Sequence, residues 1–304
     1  MKIAFQIDKL SGLKPKTDTS LLIMKAALKR GFDVWFYYPS SLTYKNGEIF
    51  AQGFTFDGTQ NEPSESTLLN LDDFNFIFLR QDPPFDMNYL TTTYLLEKLK
   101  KAKVLNNPTS VRNCPEKLFV LEFAKFMPET LISNSEPEIR EFWKKHKEIV
   151  VKPLFAHGGI GVFYIPENDK NLFNATRILQ ANYNNLPVIA QKYLPNVVKG
   201  DKRILFINGE FAGALNRIQA TDFAISNTAI GGGYEKTVLT AREQEMCRSF
   251  YEPFKKLGFF LVGIDVIDDH ITEINVTSPT GFVLINELYG IKIEEKIIDE
   301  MLKL

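Results

Sequence analysis

The sequence predicts an open α/β domain at the N-terminus, followed by antiparallel α+β units. Strand and helix patterns alternate through residues 1–107, and short strands joined by hairpins follow with helices between them. The length of 304 residues exceeds the roughly 150 residues of a typical domain. We therefore expect two or three packed units that share an extensive core.

The N-terminal elements follow one another as strand and helix. A strand at residues 2–8 leads to a helix at 21–29, and Asp18-Thr19-Ser20 before it offers N-cap side chains. Further predicted elements are a strand at 33–38, a hairpin at 42–51 that turns at Asn46-Gly47, a strand at 74–79, a helix at 88–101 and a strand at 104–106. This order is typical of an open α/β domain.

The pattern changes after residue 107. Predicted helices cover residues 116–126, 137–145 and 171–182, with strands at 129–132, 149–153, 162–165 and 188–191. A hairpin at Asn208-Gly209 joins strands 203–207 and 211–218, and a helix at 241–257, a hairpin at 260–276 and a helix at 292–304 follow. The predicted division is residues 1–114, 115–193 and 194–304.

Composition excludes several classes of function. The 36 basic and 37 acidic residues leave a formal net charge of -1, so nothing favours nucleic acid or an anionic membrane as a partner. Cys114 and Cys247 lie far apart and in no metal-ligand spacing, which fits a reducing compartment. Because no long apolar segment occurs, we expect a cytoplasmic protein.

One predicted hairpin, residues 260–276, carries opposed carboxylates. If the strands pair symmetrically about Asp269, Asp265 lies opposite Glu273, and Asn275 shares their face. Opposed buried carboxylates need a compensating charge, and two carboxylates with one amide suit Mg²⁺. A solvated polar face of an antiparallel sheet explains the spacing equally well.

Two lysines and a glycine-rich turn elsewhere in the sequence fit phosphate binding. Lys152 lies inside a predicted strand and Lys117 near the start of a helix, where each fits a phosphate ligand or a surface lysine. Gly158-Gly159 belong to a glycine-rich turn before a strand, unlike a Walker loop or a Rossmann fingerprint.

Two irregular segments follow. Residues 190–203 fit either an interdomain connection or a backbone that binds an adenine edge near Tyr193 and Leu194, with Asp201 placed for a ribose hydroxyl. Residues 219–235 are rich in small residues and longer than about 12–15 residues, the length above which structureless loops become uncommon. They indicate either a lid or a disordered loop.

Several motifs together resemble the prokaryotic glutathione synthetases of the ATP-grasp superfamily. The specific ones are residues 80–86, RQDPPFD, and residues 272–279, TEINVTSP. The resemblance runs nearly end to end. It implies a two-subdomain ATP-grasp fold after the N-terminal domain, ATP and Mg²⁺ as cofactors, a dipeptide carboxylate and an amino-acid amine as substrates, and a homotetramer.

The resemblance also implies roles for individual residues. It assigns ATP binding to Lys117, Lys152, Gly158, Gly159, Gln191, Lys192, Tyr193, Leu194 and Asp201. It assigns Mg²⁺ binding to Asp265, Glu273 and Asn275, catalysis to Arg203 and Arg217, and substrate binding to Asp18, Ser20, Arg80, Thr277 and Ser278.

The sequence departs from the family pattern in the predicted lid. Ile225 and Gly233 stand where the family carries arginines, and no Arg or Lys occurs between Arg217 and Lys236. Residues 280–284 are apolar where the family often has a basic residue, and residues 155–157 replace an acidic start of the glycine turn. These changes leave the fold and the use of ATP in place but bear on the substrates.

The expected reaction transfers the γ-phosphoryl group to a carboxylate, and an amine then displaces phosphate. It requires no side-chain nucleophile, in agreement with the lack of a Ser/His/Asp or Cys/His arrangement. The alternatives are an ATP-grasp ligase for another acid and amine, and a nucleotide-binding regulatory protein without turnover.

Overall fold

A computed structural model describes residues 1–59, 65–218 and 232–304. The N-terminal sheet has the strand order β3-β4-β2-β1-β6-β7, with β5 beside β4. Its strands are β1 (Lys2–Gln6), β2 (Asp33–Tyr37), β3 (Thr43–Lys45), β4 (Glu48–Thr55), β5 (Thr67–Asn70), β6 (Phe76–Leu79) and β7 (Lys103–Leu105). Strands β2, β1, β6 and β7 run parallel, so the predicted open α/β domain is confirmed.

The helices of this domain are α1 (Thr19–Lys29), α2 (Met87–Leu96) and α3 (Pro108–Asn113). Asp18 caps α1, since its Oδ1 accepts the Leu21 N–H at 2.8 Å. Helix α2 stops before the predicted residue 101, because Asp72 Oδ1 accepts the N–H groups of residues 100–102 and draws them out of the helix. Helix α3 was not predicted, although Asn107 followed by proline is a helix-start signal.

The chain then enters a short helix, α4 (Glu116–Phe119), that packs on β16 (His270–Asn275). The single helix predicted over residues 116–126 is wrong in its second half, which is a 3₁₀ helix (Val120–Phe126) with non-helical torsions at Phe123. This arrangement brings Glu116 and Lys117 beside the last strand of the five-stranded sheet described below.

A four-stranded antiparallel sheet comes next, in the order β10-β9-β11-β8. It comprises β8 (Thr130–Ser133), β9 (Ile149–Pro153), β10 (Phe163–Ile165) and β11 (Val188–Lys192), with helices α5 (Glu136–His146) and α6 (Leu172–Asn182). Ile149, Val151 and Ala190 meet Leu172 and Leu179 in a core of its own. The sheet is therefore a unit with little apolar surface shared with the rest of the chain.

The third sheet is antiparallel, with the order β14-β13-β12-β15-β16. Its strands are β12 (Asp201–Ile207), β13 (Glu210–Ile218), β14 (Gly233–Lys236), β15 (Leu261–Ile267) and β16 (His270–Asn275), and the helices are α7 (Ala241–Lys256), α8 (Phe282–Tyr289) and α9 (Ile293–Leu302). The loop predicted over residues 219–235 is wrong at its end, because Gly233–Lys236 is a strand; residues 219–231, with Ile225, lie outside the described residues.

The N-terminal sheet and the five-stranded sheet share their cores. Phe5 and Phe78 belong to one apolar cluster with Leu205 and Phe282. Between the sheets, the buried Asn106 side chain donates to the carbonyls of Leu261 and Val276 and accepts two N–H groups from residues 260 and 261. Within the described residues, no helix is both long and apolar enough to cross a membrane. The predicted domain boundaries stay a prediction.

Candidate active site

A cavity of about 680 Å³ lies where the four-stranded and five-stranded sheets face the end of the N-terminal domain. Most residues predicted for the site line it. They are Asp18, Lys152, Gly158, Gly159, Gln191, Lys192, Tyr193, Leu194, Asp201, Arg203, Arg217, Asp265, Glu273, Asn275, Thr277 and Ser278. The others, Ser20, Arg80 and Lys117, are buried directly behind the wall.

The hairpin of β15 and β16 places the predicted acidic residues as expected. Asp265 pairs with Glu273 across the two strands, which confirms the predicted register. The predicted three-residue turn is wrong: Ile267 pairs with His270, so the turn has two central residues, Asp268 and Asp269, both at positive φ. A β-bulge next to Asp265 then shifts the register by one residue and brings Glu273, instead of Thr272, opposite Asp265.

Arginines surround Asp265 on the face of the five-stranded sheet. Arg203, its cross-strand neighbour on β12, donates from Nε to Oδ1 at 2.5 Å and from Nη2 to Oδ2 at 2.9 Å. Arg217 Nη2 lies 3.1 Å from the same Oδ2. Arg217 also forms a two-bond pair with Asp201, its partner across β12 and β13. Two arginines and two carboxylates thus alternate along one buried surface.

These pairs decide the charge state of the surface. Burial opposes ionisation of Asp265, but Arg203 and Arg217 outweigh it and hold the pKa of this carboxyl well below its usual range. Burial raises the pKa of Asp201 to about 6, with Arg217 acting in the opposite direction. The pKa of Arg217 is raised, because the two carboxylates outweigh its burial. Asp265 is therefore the firmly ionised carboxylate of the set.

Glu273 takes its compensating charge from Lys117. The Lys117 ammonium lies 3.3 Å from Glu273 Oε1 and also donates to the Ala156 carbonyl. Burial lowers the pKa of Lys117, but Glu273 and Glu116 reverse this and the net shift is upward. Side-chain cations therefore lie beside both opposed carboxylates, Arg203 and Arg217 beside Asp265 and Lys117 beside Glu273.

Glu116 is a site residue that the sequence analysis did not assign. It lines the cavity, and Thr277 Oγ1 donates to its Oε1 at 3.5 Å. Burial, reinforced by Glu273, raises its pKa to about 7. The sequence offered one signal for Glu116: it directly precedes Lys117, a predicted site residue, at the start of the same short helix.

Lys152 extends from β9 of the four-stranded sheet into the cavity. It is 6% exposed and has no hydrogen bond or ion pair with any residue that the structure describes. Burial lowers its pKa to about 8, although Glu273 acts in the opposite direction. Gly158 and Gly159 follow at positive φ, and the preceding Phe155 ring stacks on Phe85 at a centroid distance of 6.3 Å. A free buried cation thus stands beside a glycine turn that leaves its backbone accessible.

The predicted nucleotide segment runs along the end of β11. Gln191 Nε2 donates to Thr130 Oγ1 at 2.9 Å, and the Tyr193 ring packs on Tyr164 at 4.4 Å. Gly200 then turns the chain into β12 at a φ of +107°, where a Cβ atom would lie 2.4 Å from the Arg217 carbonyl oxygen. Glycine is therefore required at position 200, where the chain passes close to the backbone of Arg217 on β13.

The predicted substrate residues meet at the N-terminal end of the cavity. Arg80 Nε donates to Ser20 Oγ at 3.1 Å and Nη2 donates to the Pro279 carbonyl at 3.1 Å, which leaves Nη1 buried without an acceptor among the described residues. Ser278 Oγ donates to the Arg80 carbonyl at 3.3 Å. Burial raises the pKa of Asp18 and lowers that of Arg80.

The donor set of Asp265, Glu273 and Asn275 fits a magnesium ion chemically. It offers two carboxylates and one amide oxygen on one face, since Asn275 Nδ2 points to Asp265 at 3.3 Å and its oxygen remains available. The described residues contain no group of three or more His, Cys, Asp or Glu side chains arranged for a metal. Mg²⁺ that takes its other ligands from phosphate and water needs no such group.

Two profiles of the prokaryotic glutathione synthetases match the chain. The N-terminal domain profile covers residues 1–112 and the ATP-grasp domain profile covers residues 116–290. The glutathione synthetase of Mesorhizobium japonicum is 44% identical over 287 residues, which are 92% of this chain and 91% of that protein. That of Agrobacterium fabrum is 42% identical over 307 residues, 99% and 96% of the two chains.

Solved structures with the same fold are more distant in sequence. D-cycloserine synthetase DcsG matches with a TM-score of 0.69 at 14% identity, over 99% of this chain and 100% of that one. A RiPP-associated ATP-grasp ligase of Chryseobacterium gregarium, in complex with ADP and a leader and core peptide, matches with a TM-score of 0.67 at 18% identity over 100% and 97%. The predicted ATP-grasp fold is thereby confirmed. With both profiles and these relatives covering nearly its whole length, the chain belongs to the prokaryotic glutathione synthetase family of ATP-grasp C–N ligases.

Proposed function

We propose that the protein joins γ-glutamylcysteine to glycine with Mg²⁺-ATP and releases glutathione, ADP and phosphate. The observation that carries this proposal is the row of buried charges that alternate in sign on one face of the five-stranded sheet, Arg217, Asp201, Arg203 and Asp265, with the half-buried Glu273 opposite Asp265. The identity to glutathione synthetases over nearly the whole chain supports the same substrates.

The reaction proceeds in two balanced steps. A carboxylate oxygen of γ-glutamylcysteine attacks the γ-phosphorus of ATP; the bond from this phosphorus to the bridging oxygen breaks, and ADP leaves with that electron pair. The amine of glycine then attacks the acyl phosphate carbon, loses a proton, and expels phosphate. The protein contributes positioning and charge stabilisation, without a covalent intermediate on a side chain.

The cations around the cavity have distinct roles in this scheme. Lys152, which is buried and has no side-chain partner among the described residues, binds a phosphate of ATP as a compact charge, and Lys117 adds a second ammonium. Arg203 and Arg217 stabilise the charge that develops on the transferring phosphoryl group. The amides of Gly158 and Gly159 approach the phosphates closely, because neither residue carries a side chain.

The remaining predicted residues bind the ends of the reactants. Gln191, Lys192, Tyr193 and Leu194 border the adenine, and Asp201 is assigned the ribose. Asp265, Glu273 and Asn275 would hold Mg²⁺, which neutralises phosphate charge when it is bound. Arg80 binds a substrate carboxylate through Nη1, which has no acceptor in the described part of the chain. The other residues of that end surround it: Asp18, Ser20, Thr277 and Ser278.

The proposal also covers the domain division, the location, the oligomeric state and the partners. The chain divides into an N-terminal domain of residues 1–114 and ATP-grasp subdomains of residues 115–193 and 194–304. It is a cytoplasmic homotetramer that acts on small molecules and has no nucleic-acid or membrane partner. The near-neutral charge of -1 supports the lack of a polyanionic partner.

The proposal is tested by incubating the protein with ATP, MgCl₂, γ-glutamylcysteine and glycine. We expect ADP, phosphate and glutathione in equal amounts, and no sustained ADP release when γ-glutamylcysteine, glycine or the metal is omitted. Nucleotide binding without ADP release from this pair, or from any pair in a panel of acids and amines, would contradict ligase function and favour a regulatory protein.

A second candidate is an ATP-grasp ligase for a different acid or amine. One feature of the sequence favours it: no Arg or Lys occurs between Arg217 and Lys236, so the segment after β13 brings no cation to the substrates. Replacing each substrate in turn distinguishes the two. Higher kcat/KM for another acid or amine than for γ-glutamylcysteine or glycine establishes the second candidate.

A further inference from the structure

A second cavity, of about 610 Å³, lies within the N-terminal domain. Among the described residues it shares no lining residue with the candidate active site. It is bordered by the segments after β1, β2 and β6 and by one side of α2. Its lining includes Asp8, Lys9, Leu42, Gln81, Thr91 and Leu95.

The cavity lies at the carboxyl ends of parallel strands. Asp8 follows β1 and Gln81 follows β6, and these two strands are neighbours at the centre of the sheet. The chain leaves β1 toward α1 and β2 on one side, and leaves β6 toward α2 and β7 on the other. Crevices where the strand connections diverge in this way are the ligand sites of open α/β sheets.

Two buried or half-buried groups present unused hydrogen-bonding capacity here. Gln81 is 8% exposed; its Oε1 accepts from Gln6 Nε2 at 3.0 Å and from Thr92 Oγ1 at 3.1 Å, while its amide nitrogen donates to no described residue. Asp8 Oδ2 accepts the Asp82 N–H at 2.7 Å, and its Oδ1 accepts from no other described residue. The cavity therefore offers one fixed donor and one fixed carboxylate oxygen.

The other lining groups complete a pattern of both charges. Lys9 is an exposed ammonium next to Asp8, and Leu42 and Leu95 supply apolar surface. A molecule that carries an ammonium, a carboxylate and a small side chain complements this arrangement. We propose that the cavity is a second ligand site that binds a free α-amino acid, with its ammonium on Asp8, its carboxylate on the Gln81 amide and Lys9, and its side chain against the leucines.

The site is connected to the candidate active site through one short segment. Gln81 lies between Arg80 and Asp82; Arg80 is assigned to the acid substrate, and Asp82 lines the main cavity. The Asp82 N–H is held by Asp8 itself. A ligand in the second site therefore contacts the segment 80–82 from the side away from the active site. We expect its binding to change the KM for the acid substrate. This consequence rests on the proposed function, whereas binding does not.

Binding is tested without turnover. Each of the twenty common L-amino acids is titrated into the full-length protein by calorimetry, with ADP, MgCl₂ and glutathione present in excess to occupy the active site. We expect saturable binding of at least one amino acid, weakened at least tenfold in Lys9→Gln and abolished in Thr91→Trp, which fills the cavity from the exposed face of α2. Met87→Trp, on the same helix but outside the lining, is the matched control.

Two outcomes overturn the site: no amino acid binds, or the affinity is the same in Thr91→Trp as in the wild type and Met87→Trp. The regulatory consequence is tested separately by measuring the KM for γ-glutamylcysteine with and without the bound amino acid. A twofold or larger change that disappears in Thr91→Trp supports it. If the protein releases no ADP, the proposed function fails while the binding result stands on its own.

Discussion

Replacing Lys152 with methionine is expected to stabilise the protein and to abolish its use of ATP. The Lys152 ammonium is buried and has no partner among the described residues, and burial lowers its pKa from 10.5 to about 8. These two pKa values differ by about 2.5, which at about 1.4 kcal/mol per pH unit destabilises the native state by about 3.5 kcal/mol at pH 7. Methionine has a similar length and no charge, so this cost disappears.

The pH dependence gives an independent check of the same reasoning. Below pH 8 the lysine is protonated in both states and its cost is constant. Between about pH 8 and 10.5 the unfolded chain binds more protons than the native one, so the stability of the wild type rises with pH. Lys152→Met lacks this contribution, and the two stability curves should converge across that range.

The assay is urea denaturation followed by circular dichroism at several pH values, together with ADP release. The exposed Lys25→Met, on α1, serves as the control and should change the unfolding free energy by less than about 0.5 kcal/mol. A Lys152→Met protein that is less stable than the wild type at pH 7 would show that the ammonium is compensated in the native state. The assignment of Lys152 as an uncompensated cation that binds a phosphate of ATP would then be wrong.

Three further predictions concern the framework of the site. Gly200→Ala should lower the free energy of unfolding by about 1–3 kcal/mol and raise the KM for ATP, because its Cβ would collide with the Arg217 carbonyl oxygen. Gly31→Ala is the control, since Gly31 is at positive φ with nothing within 4 Å, and it should lower the unfolding free energy less when both are measured by thermal denaturation. Asp265→Asn should lower the free energy of unfolding by about 3–5 kcal/mol, because Arg203 and Arg217 are buried and would lose the negative charge beside them. The pKa of Asp265 is lower in the folded than in the unfolded state, so its ionised form stabilises the fold above the unfolded pKa of about 4, and this stabilisation is lost as the pH falls through the folded pKa. The unfolding free energy of Asp265→Asn should therefore change less with pH in the acid range than that of the wild type. Asn106→Ala should lower the midpoint of urea unfolding by at least the equivalent of about 3 kcal/mol, because four backbone groups lose their partners; an unchanged midpoint would refute the role of this residue as the link between sheets.

The sequence predicted those parts of the site that depend on alternation within one element. Asp265, Glu273 and Asn275 were assigned to one face because side chains alternate along strands, and the structure agrees. The agreement depends on a bulge that the sequence pattern does not reveal. A two-residue turn alone would have placed Thr272 opposite Asp265, so the correct register was obtained from an incorrect turn.

Contacts between distant elements could not be predicted in this way. That Arg217 pairs with Asp201, and that Lys117 meets Glu273, depends on how strands and a helix far apart in sequence pack together. Helix α8 was missed because glycines at both of its ends, Gly281 and Gly290, and an apolar run between them do not distinguish a buried helix from a strand. The role of Glu116 was missed for the same reason, because its burial comes from packing.

The pairing of the site's charges bears on how the site must work. In the structure Arg203 and Arg217 are neutralised by Asp265 and Asp201, and Lys117 by Glu273. Among the buried cations of the site, Lys152 and one nitrogen of Arg80 have no partner in the part of the chain that the structure describes. Incoming ATP brings several negative charges, which compete with these carboxylates for the same cations. Such competition is favourable only if the displaced carboxylates find a cation of their own. A divalent ion bound by Asp265 and Glu273 would be that cation, so nucleotide and metal should bind together. We therefore predict that the affinity for ATP falls steeply when the metal is removed, because Lys152 is then the main cation left free to bind the phosphates.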